Sequence, residues 1–263
     1  MTVEEALRRA SERLGAAGVE TPRVDAELLL AHVLGTSRSA VYSDPRREVP
    51  ASFESLLERR EQREPLAYVL GEWGFRRLVL KTDERALVPR PETEIVVERC
   101  LALLAGASSP RVLDLGTGTG AIALAIADEH PAARVTAVDS SAEALALARE
   151  NAAALGLQVD VRPGGIETAA EGWDLVVSNP PYVRAADWEE LQPEIRNWEP
   201  RPALVGEGLH EEIARIAQTR KLVLEVGDGQ AESVARTLEE LGYAGVTITR
   251  DLADAERVVE GSR

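Results

Sequence analysis

The stretch from Arg111 to Asp139 most constrains what this chain can fold into. Arg111 to Leu115 is a short apolar strand pattern interrupted by Asp114, and it runs straight into Gly116, Thr117, Gly118, Thr119 and Gly120. A helical pattern from Ala121 to Asp128 follows, and then a second strand, Val135 to Val138, ends in Asp139. Strand, glycine turn and helix form the first half of a nucleotide-binding βαβ unit, and glycines let the backbone approach a ligand without Cβ interference. An acid about twenty residues past the turn is placed to accept hydrogen bonds from both hydroxyls of a ribose. Ser140 with Glu143 reads as a capping box for the next helix.

The turn reads Gly-x-Gly-x-Gly rather than the dinucleotide Gly-x-Gly-x-x-Gly, and Asp114 stands just ahead of it. A carboxylate there repels a diphosphate but suits a ligand carrying an ammonium and a sulfonium. The pattern therefore resembles the S-adenosylmethionine site of class I methyltransferases. Gly116, Thr117, Gly118, Thr119, Gly120 and Asp139, with Asn179 further on, are the candidate cofactor-binding residues.

A second feature lies about sixty residues downstream. Trp173 to Val177 reads as a buried strand, followed at once by Asn179, Pro180, Pro181 and Tyr182. Two prolines cannot continue a sheet ladder and have restricted φ, so the chain leaves the strand rigidly, with the Asn179 side chain and the Pro180 carbonyl as fixed acceptors. Tyr182 adds a flat wall with a polar tip. Two acceptors and a stacking surface suit one planar NH2 group, so Asn179, Pro180, Pro181 and Tyr182 are the candidate catalytic residues. The tetrad alone fits a glutamine amide, adenine N6 or guanine N2 equally well.

Composition narrows the partner. Thirty Lys and Arg stand against 45 Asp and Glu, a formal charge of -15, which disfavours a nonspecific grip on nucleic acid. The single cysteine, Cys100, cannot form an internal disulfide and reads as a buried hydrophobe. Glu4 and Glu5 replace the basic start of a leader peptide, and no apolar run approaches a membrane span, so a cytoplasmic location is expected. His32, His130 and His210 lack metal-ligand spacing, and no metal site is expected. The Glu58 to Glu64 charge run reads as a solvated helix face.

Along the chain, helical patterns cover Val3 to Leu14, Val24 to Leu34 after a Thr21-Pro22 cap, and Ala51 to Arg63, until Pro65 intervenes. Tyr68 to Val88 reads as a hairpin connector. Strands near 111, 134, 158, 173, 221, 245 and 256 then alternate with helices, except that the last two follow each other directly. The expected fold is α/β: a mostly parallel, Rossmann-like seven-stranded sheet of class I methyltransferase type, with a small N-terminal all-α domain and a β-hairpin connector. The expected domains are 1–68, 69–88 and 89–263.

Several strings together resemble the HemK/PrmC family of release factor glutamine N5-methyltransferases. They are Glu64 to Tyr68 with Gly71, Val88 to Glu94, Asp114 to Gly120, Asn179 to Val183, Glu199 to Leu204, and Leu224 to Gly227. The resemblance implies S-adenosylmethionine as cofactor. It also implies as substrate the glutamine of the Gly-Gly-Gln loop in class 1 peptide chain release factors, recognised in part by the N-terminal helical module. No direct nucleic-acid or membrane partner is expected. A nucleic-acid amino methyltransferase and a noncatalytic binding module are the alternatives. Two departures from the family pattern stand out. Gly165 and Ile166 occupy positions where an acid and an apolar residue usually flank the adenine, and the segment between His210 and Lys221 is about ten residues shorter, without a Pro-Gly-Gly turn.

Overall fold

A computed structural model describes all residues, Met1 to Arg263. The chain divides into two compact units, Met1–Glu72 with Gln192–Trp198, and Trp73–Leu191 with Glu199–Arg263.

The first unit is helical. In α1 (Val3–Ala16) a capping box joins the Thr2 hydroxyl to the Glu5 N–H and the Glu5 carboxylate to the Thr2 N–H. Val3, Ala6, Leu7, Ala10 and Leu14, spaced by three and four, form the buried stripe that the helical period requires. They share one core with Leu29 and Leu30 of α2 (Pro22–Leu34) and with Phe53 and Leu57 of α3 (Ser52–Glu61). Pro22 opens α2, and Gly35, at φ 61°, closes it in the left-handed conformation. Thr21 makes no backbone cap; its hydroxyl donates to Asp25 Oδ1 at 2.7 Å. Pro65 leads into a short helix, α4 (Leu66–Leu70), which the sequence pattern had merged with the connector.

The Glu58 to Glu64 run is not simply a solvated face. Arg60 and Glu64 are buried. Arg60 donates to Asp25 Oδ2 at 2.7 Å and Glu194 Oε1 at 2.8 Å, while Arg63 grips both oxygens of Glu194 at 2.6 Å. Buried charges persist only when paired, and the decisive partner, Glu194, lies some 130 residues away, beyond any local pattern.

The second unit begins with β1 (Glu72–Phe75) and β2 (Leu78–Lys81), a two-stranded sheet, followed by α5 (Thr93–Leu104). The chain then runs through β3 (Arg111–Leu115), α6 (Ala121–Glu129), β4 (Arg134–Asp139), α7 (Ala142–Leu155), β5 (Asp160–Pro163) and β6 (Leu175–Ser178). The short α8 (Pro193–Trp198) belongs to the first unit. After it come α9 (Leu209–Ile216), β7 (Lys221–Glu225), α10 (Ala231–Glu240), β8 (Ala244–Arg250) and β9 (Glu256–Ser262). The seven strands β3 to β9 order as β5-β4-β3-β6-β7-β9-β8, parallel from β5 to β7 and antiparallel through the final hairpin.

Alternate side chains of the central strands enter two cores. Val112, Leu175, Val177 and Val223 face one with α5 and α6; Leu113, Leu115, Val176, Leu222 and Leu224 face the other with α9 and α10. Burial on both faces explains the continuous apolar runs that marked these strands. Two local readings shift. Strand β6 extends to Ser178, and Trp173 makes only an isolated bridge to Thr219. Ser141, not Ser140, caps α7, accepting from Ala144 N at 3.1 Å.

Candidate active site

The chain lays down β3, β4 and β5 outward in one direction, then returns to place β6 on the other side of β3. Such a reversal leaves a crevice at the carboxyl ends of the two inner strands, where open α/β sheets bind ligands. Leu115 pairs with Ser178 in register, and the Ser178 hydroxyl donates to the Leu115 carbonyl at 2.7 Å. The glycine turn and the Asn-Pro-Pro-Tyr tetrad therefore leave adjacent strand ends. A cavity of about 430 Å³ opens between them.

On the turn side, Gly116, Thr117, Gly118 and Thr119 line this cavity together with Asp139. Gly116 and Gly118 have φ of 76° and 55°, which a side chain resists. Gly118 N donates to Asp139 Oδ2 at 3.0 Å, and Ser141 N to Oδ1 at 2.9 Å. The end of β4 is thus tied directly to the turn. Gly120 lies outside the lining; at φ 87° it begins α6, where a Cβ would come within 3.0 Å of Leu124. Asn151 of α7 anchors the turn from behind, donating to the Thr119 carbonyl at 2.9 Å and joining both backbone groups of Lys81.

Beneath the turn, Asp114 is fully buried. Its Oδ2 accepts from the Thr117 hydroxyl at 2.6 Å and from Ala123 N at 3.2 Å, while Oδ1 has no partner. Burial pushes its pKa up to about 7; the Thr117 and Ala123 bonds oppose the rise and nearby Asp139 adds to it. A buried acceptor without a donor, next to a cradle of side-chain-free backbone, fits a ligand with a cationic end. The affinity of a cationic ligand is expected to rise with pH through about 7 as the carboxylate forms. The sign for the ligand-free protein is opposite. A raised carboxyl stabilises the fold fully below its unfolded pKa, and that contribution is lost as pH rises to about 7. Titration calorimetry with S-adenosylmethionine and thermal melts, each across this range and compared with Asp114→Asn, measure both; the variant should flatten the two trends.

On the tetrad side, Asn179, Pro180 and Pro181 line the cavity and Tyr182 does not. Asn179 Nδ2 donates to Thr93 Oγ1 at 3.4 Å. The Tyr182 ring packs over Gly227, where a Cβ would lie 2.7 Å from it, and burial with the neighbouring Glu225 pushes the phenol up to about 12. Its backbone carbonyl accepts from Gln230 at 3.1 Å. Gly206 is confined similarly, 2.7 Å from the Pro181 carbonyl at an ideal Cβ. The tetrad is therefore clamped by two later glycines, whose role sequence patterns alone do not show.

Residues 85–90 and Thr93 complete the wall. Arg90 donates to Glu199 Oε1 at 2.6 Å; Glu199 is buried, its other oxygen has no partner, and burial raises its pKa.

The PrmC N-terminal domain family matches residues 5–71, and the methyltransferase small domain family matches residues 93–193. A release factor glutamine methyltransferase of Deinococcus radiodurans is 41% identical, over 100% of this chain and 99% of its own. One of Caulobacter vibrioides is 37% identical, over 99% of this chain and 96% of its own. The chain belongs to the release factor glutamine methyltransferase family. Among solved structures, a T. thermophilus 16S rRNA N2 G1207 methyltransferase aligns with a TM-score of 0.54 at 17% identity, covering 73% of this chain and 49% of that one. That likeness speaks to the fold, the class I methyltransferase plan.

Within the family frame, the two departures take physical form. Gly165 has no side chain, but its N–H donates to Glu167 Oε1 at 2.8 Å, and the other Glu167 carboxylate oxygen lies where a Gly165 side chain would point, 2.6 Å from an ideal Cβ. The shortened segment is pinned. Gln218 N donates to the Ala169 carbonyl and Trp173 N to the Gln218 carbonyl, and Ala217 and Thr219 are buried. No helix is long and apolar enough to cross a membrane.

Proposed function

We propose that this chain transfers a methyl group from S-adenosylmethionine to the side-chain amide nitrogen of the Gly-Gly-Gln glutamine in class 1 peptide chain release factors. The observation that carries the reading is the meeting of Asn179 and Pro180 with the Gly116–Thr119 turn in one cavity, in a chain whose full-length relatives bear that activity in their names. S-adenosylmethionine, when bound, supplies an electrophilic methyl on a sulfonium. Asp139, in the cavity wall, would accept from its ribose, and the side-chain-free turn would let the ligand approach closely.

An amide nitrogen is a poor nucleophile because its lone pair is delocalised into the carbonyl. Acceptors on both of its N–H bonds, Asn179 Oδ1 and the Pro180 carbonyl, orient it, favour its pyramidalisation and stabilise the positive charge that develops. Pro181 narrows the slot around a flat group, and Tyr182 holds the loop from behind. No strong base is required when the proton leaves after methyl transfer.

The test uses methyl-labelled S-adenosylmethionine with a purified class 1 release factor and, in parallel, undermethylated DNA and RNA. Label on the release factor glutamine is expected. Label confined to nucleic acid would select an amino methyltransferase of that class instead.

We assign to Glu167, whose carboxylate folds back onto Gly165 of the cavity wall, the acceptor for the adenine amino group that position 165 lacks. Glu167→Ala is expected to raise the Kd for S-adenosylmethionine by about two- to tenfold, the scale of one lost hydrogen bond. An unchanged Kd by calorimetry would remove Glu167 from the site.

A further inference from the structure

Asn179 is useful as an acceptor only when its Oδ1, and not its NH2, faces the substrate. Nothing in the tetrad itself enforces this, since the two ends of a carboxamide are nearly the same size. The groups behind it differ in chemistry, however. Thr93 opens α5 at 4% exposure, and Glu225 ends β7 at 2% exposure. Ser178 pairs with Leu224 in the sheet, so Asn179 and Glu225 are the next residues on neighbouring strands. The Thr93 hydroxyl accepts from Asn179 Nδ2 at 3.4 Å and is close enough to the Glu225 carboxyl to favour its ionised form.

We propose that Glu225 and Thr93 form a polarity relay that fixes the Asn179 carboxamide with its oxygen toward the substrate; the proposal rests on the methyl-transfer reading of Asn179. Thr93 has one hydroxyl proton, and an ionised carboxylate can only accept. Glu225 therefore takes that proton into its hydrogen bond, and the Thr93 oxygen is left to accept from Asn179 Nδ2–H. Oδ1 then points the other way. The reverse arrangement, with Thr93 donating to Asn179, would strip the buried Glu225 of a side-chain donor when its Oε2 already has none. Glu225 and Thr93 are positioning residues, acting through Asn179 and not on the reacting atoms.

The relay carries a pH signature. Burial holds the Glu225 pKa up, at about 7, against the Thr93 bond. Glu92 on the approach to α5 raises it further, and Arg257 of β9 and Arg90 lower it. Tyr182 faces it from the tetrad, and His210 of α9, kept neutral by burial, bonds the Glu225 backbone carbonyl at 2.8 Å. A protonated Glu225 is itself a donor to Thr93, which frees the Thr93 proton for Asn179 Oδ1 and releases the amide to turn. Correct orientation thus grows with pH through about 7.

Two measurements decide it. In 15N-labelled protein, the Asn179 side-chain NH2 signals, identified by their loss in Asn179→Ala, are expected to shift with a midpoint of about 7. Thr93→Val and Glu225→Gln should abolish that titration, and Thr93→Ser should retain it. A wild-type signal that does not titrate, or one that titrates equally in Thr93→Val, overturns the relay, whatever the turnover. In methyl transfer to release factor, Thr93→Val is expected to lose about tenfold or more in kcat with KM for both substrates nearly unchanged, and Thr93→Ser to recover it. Equal kcat in Thr93→Val and wild type, or equal impairment of Thr93→Ser and Thr93→Val, also overturns it. An inactive wild type would count against the methyl-transfer reading, and the resonance titration would still decide the relay.

Discussion

Asn179→Ala is expected to bind S-adenosylmethionine measurably while losing about 10²- to 10³-fold in kcat for release factor methylation, the scale of one deleted transition-state hydrogen-bond partner. Asn179 lines the cavity where the tetrad leaves β6, whereas the cofactor turn follows β3 and is tied together by Asp139, Ser141 and Asn151. Removing the Asn179 side chain leaves those bonds intact. It deletes the acceptor proposed to stabilise charge growing on the amide nitrogen, so the loss falls on turnover more than on binding. Single-turnover transfer with labelled cofactor, paired with calorimetry, separates the two. Near wild-type turnover would sink the assignment.

Asp139→Ala is expected to fail in the other way, raising the Kd for S-adenosylmethionine about 10²-fold, or about 3 kcal/mol. Two losses combine here. The variant lacks the carboxylate proposed for the ribose, and it also leaves Gly118 N and Ser141 N without the partner that each has at about 3 Å. The Gly118 bond matters most, because it holds a residue at φ 55° inside the cavity wall. At cofactor concentrations well above the new Kd, much of the turnover should return, which distinguishes this variant from Asn179→Ala. Calorimetry followed by kinetics at raised cofactor checks it; tight binding retained in Asp139→Ala would place the ribose elsewhere.

How much of this was legible in the chain depends on range. The βαβ unit from Arg111 to Asp139 was readable because a strand, a glycine turn and a helix announce themselves within a few residues, through burial period and backbone freedom. So was the abrupt exit at Asn179 to Tyr182, since consecutive prolines end a strand wherever they occur. Failures came where the next partner was distant. Arg60 looked like one more exposed charge until Asp25 and Glu194 closed around it. Thr93 and Glu225 fell inside strings matched as wholes, and no local pattern put either behind Asn179, because a helix start and a strand end come together there only in the packed sheet. No local pattern marked the fold-back of Glu167 onto the N–H of Gly165.

The sequence by itself determined the elements, the cofactor turn and the rigid tetrad, all consequences of backbone restriction and hydrophobic period over short stretches. Only the tertiary structure decided that turn and tetrad share one cavity. That follows from the return of the chain to lay β6 beside β3, which brings Leu115 and Ser178, 63 residues apart, into hydrogen-bonded register. It also decided which charges and hydroxyls lie behind Asn179. Burial gives those groups their protonation and polarity, and burial belongs to the packed molecule rather than to any segment of its chain.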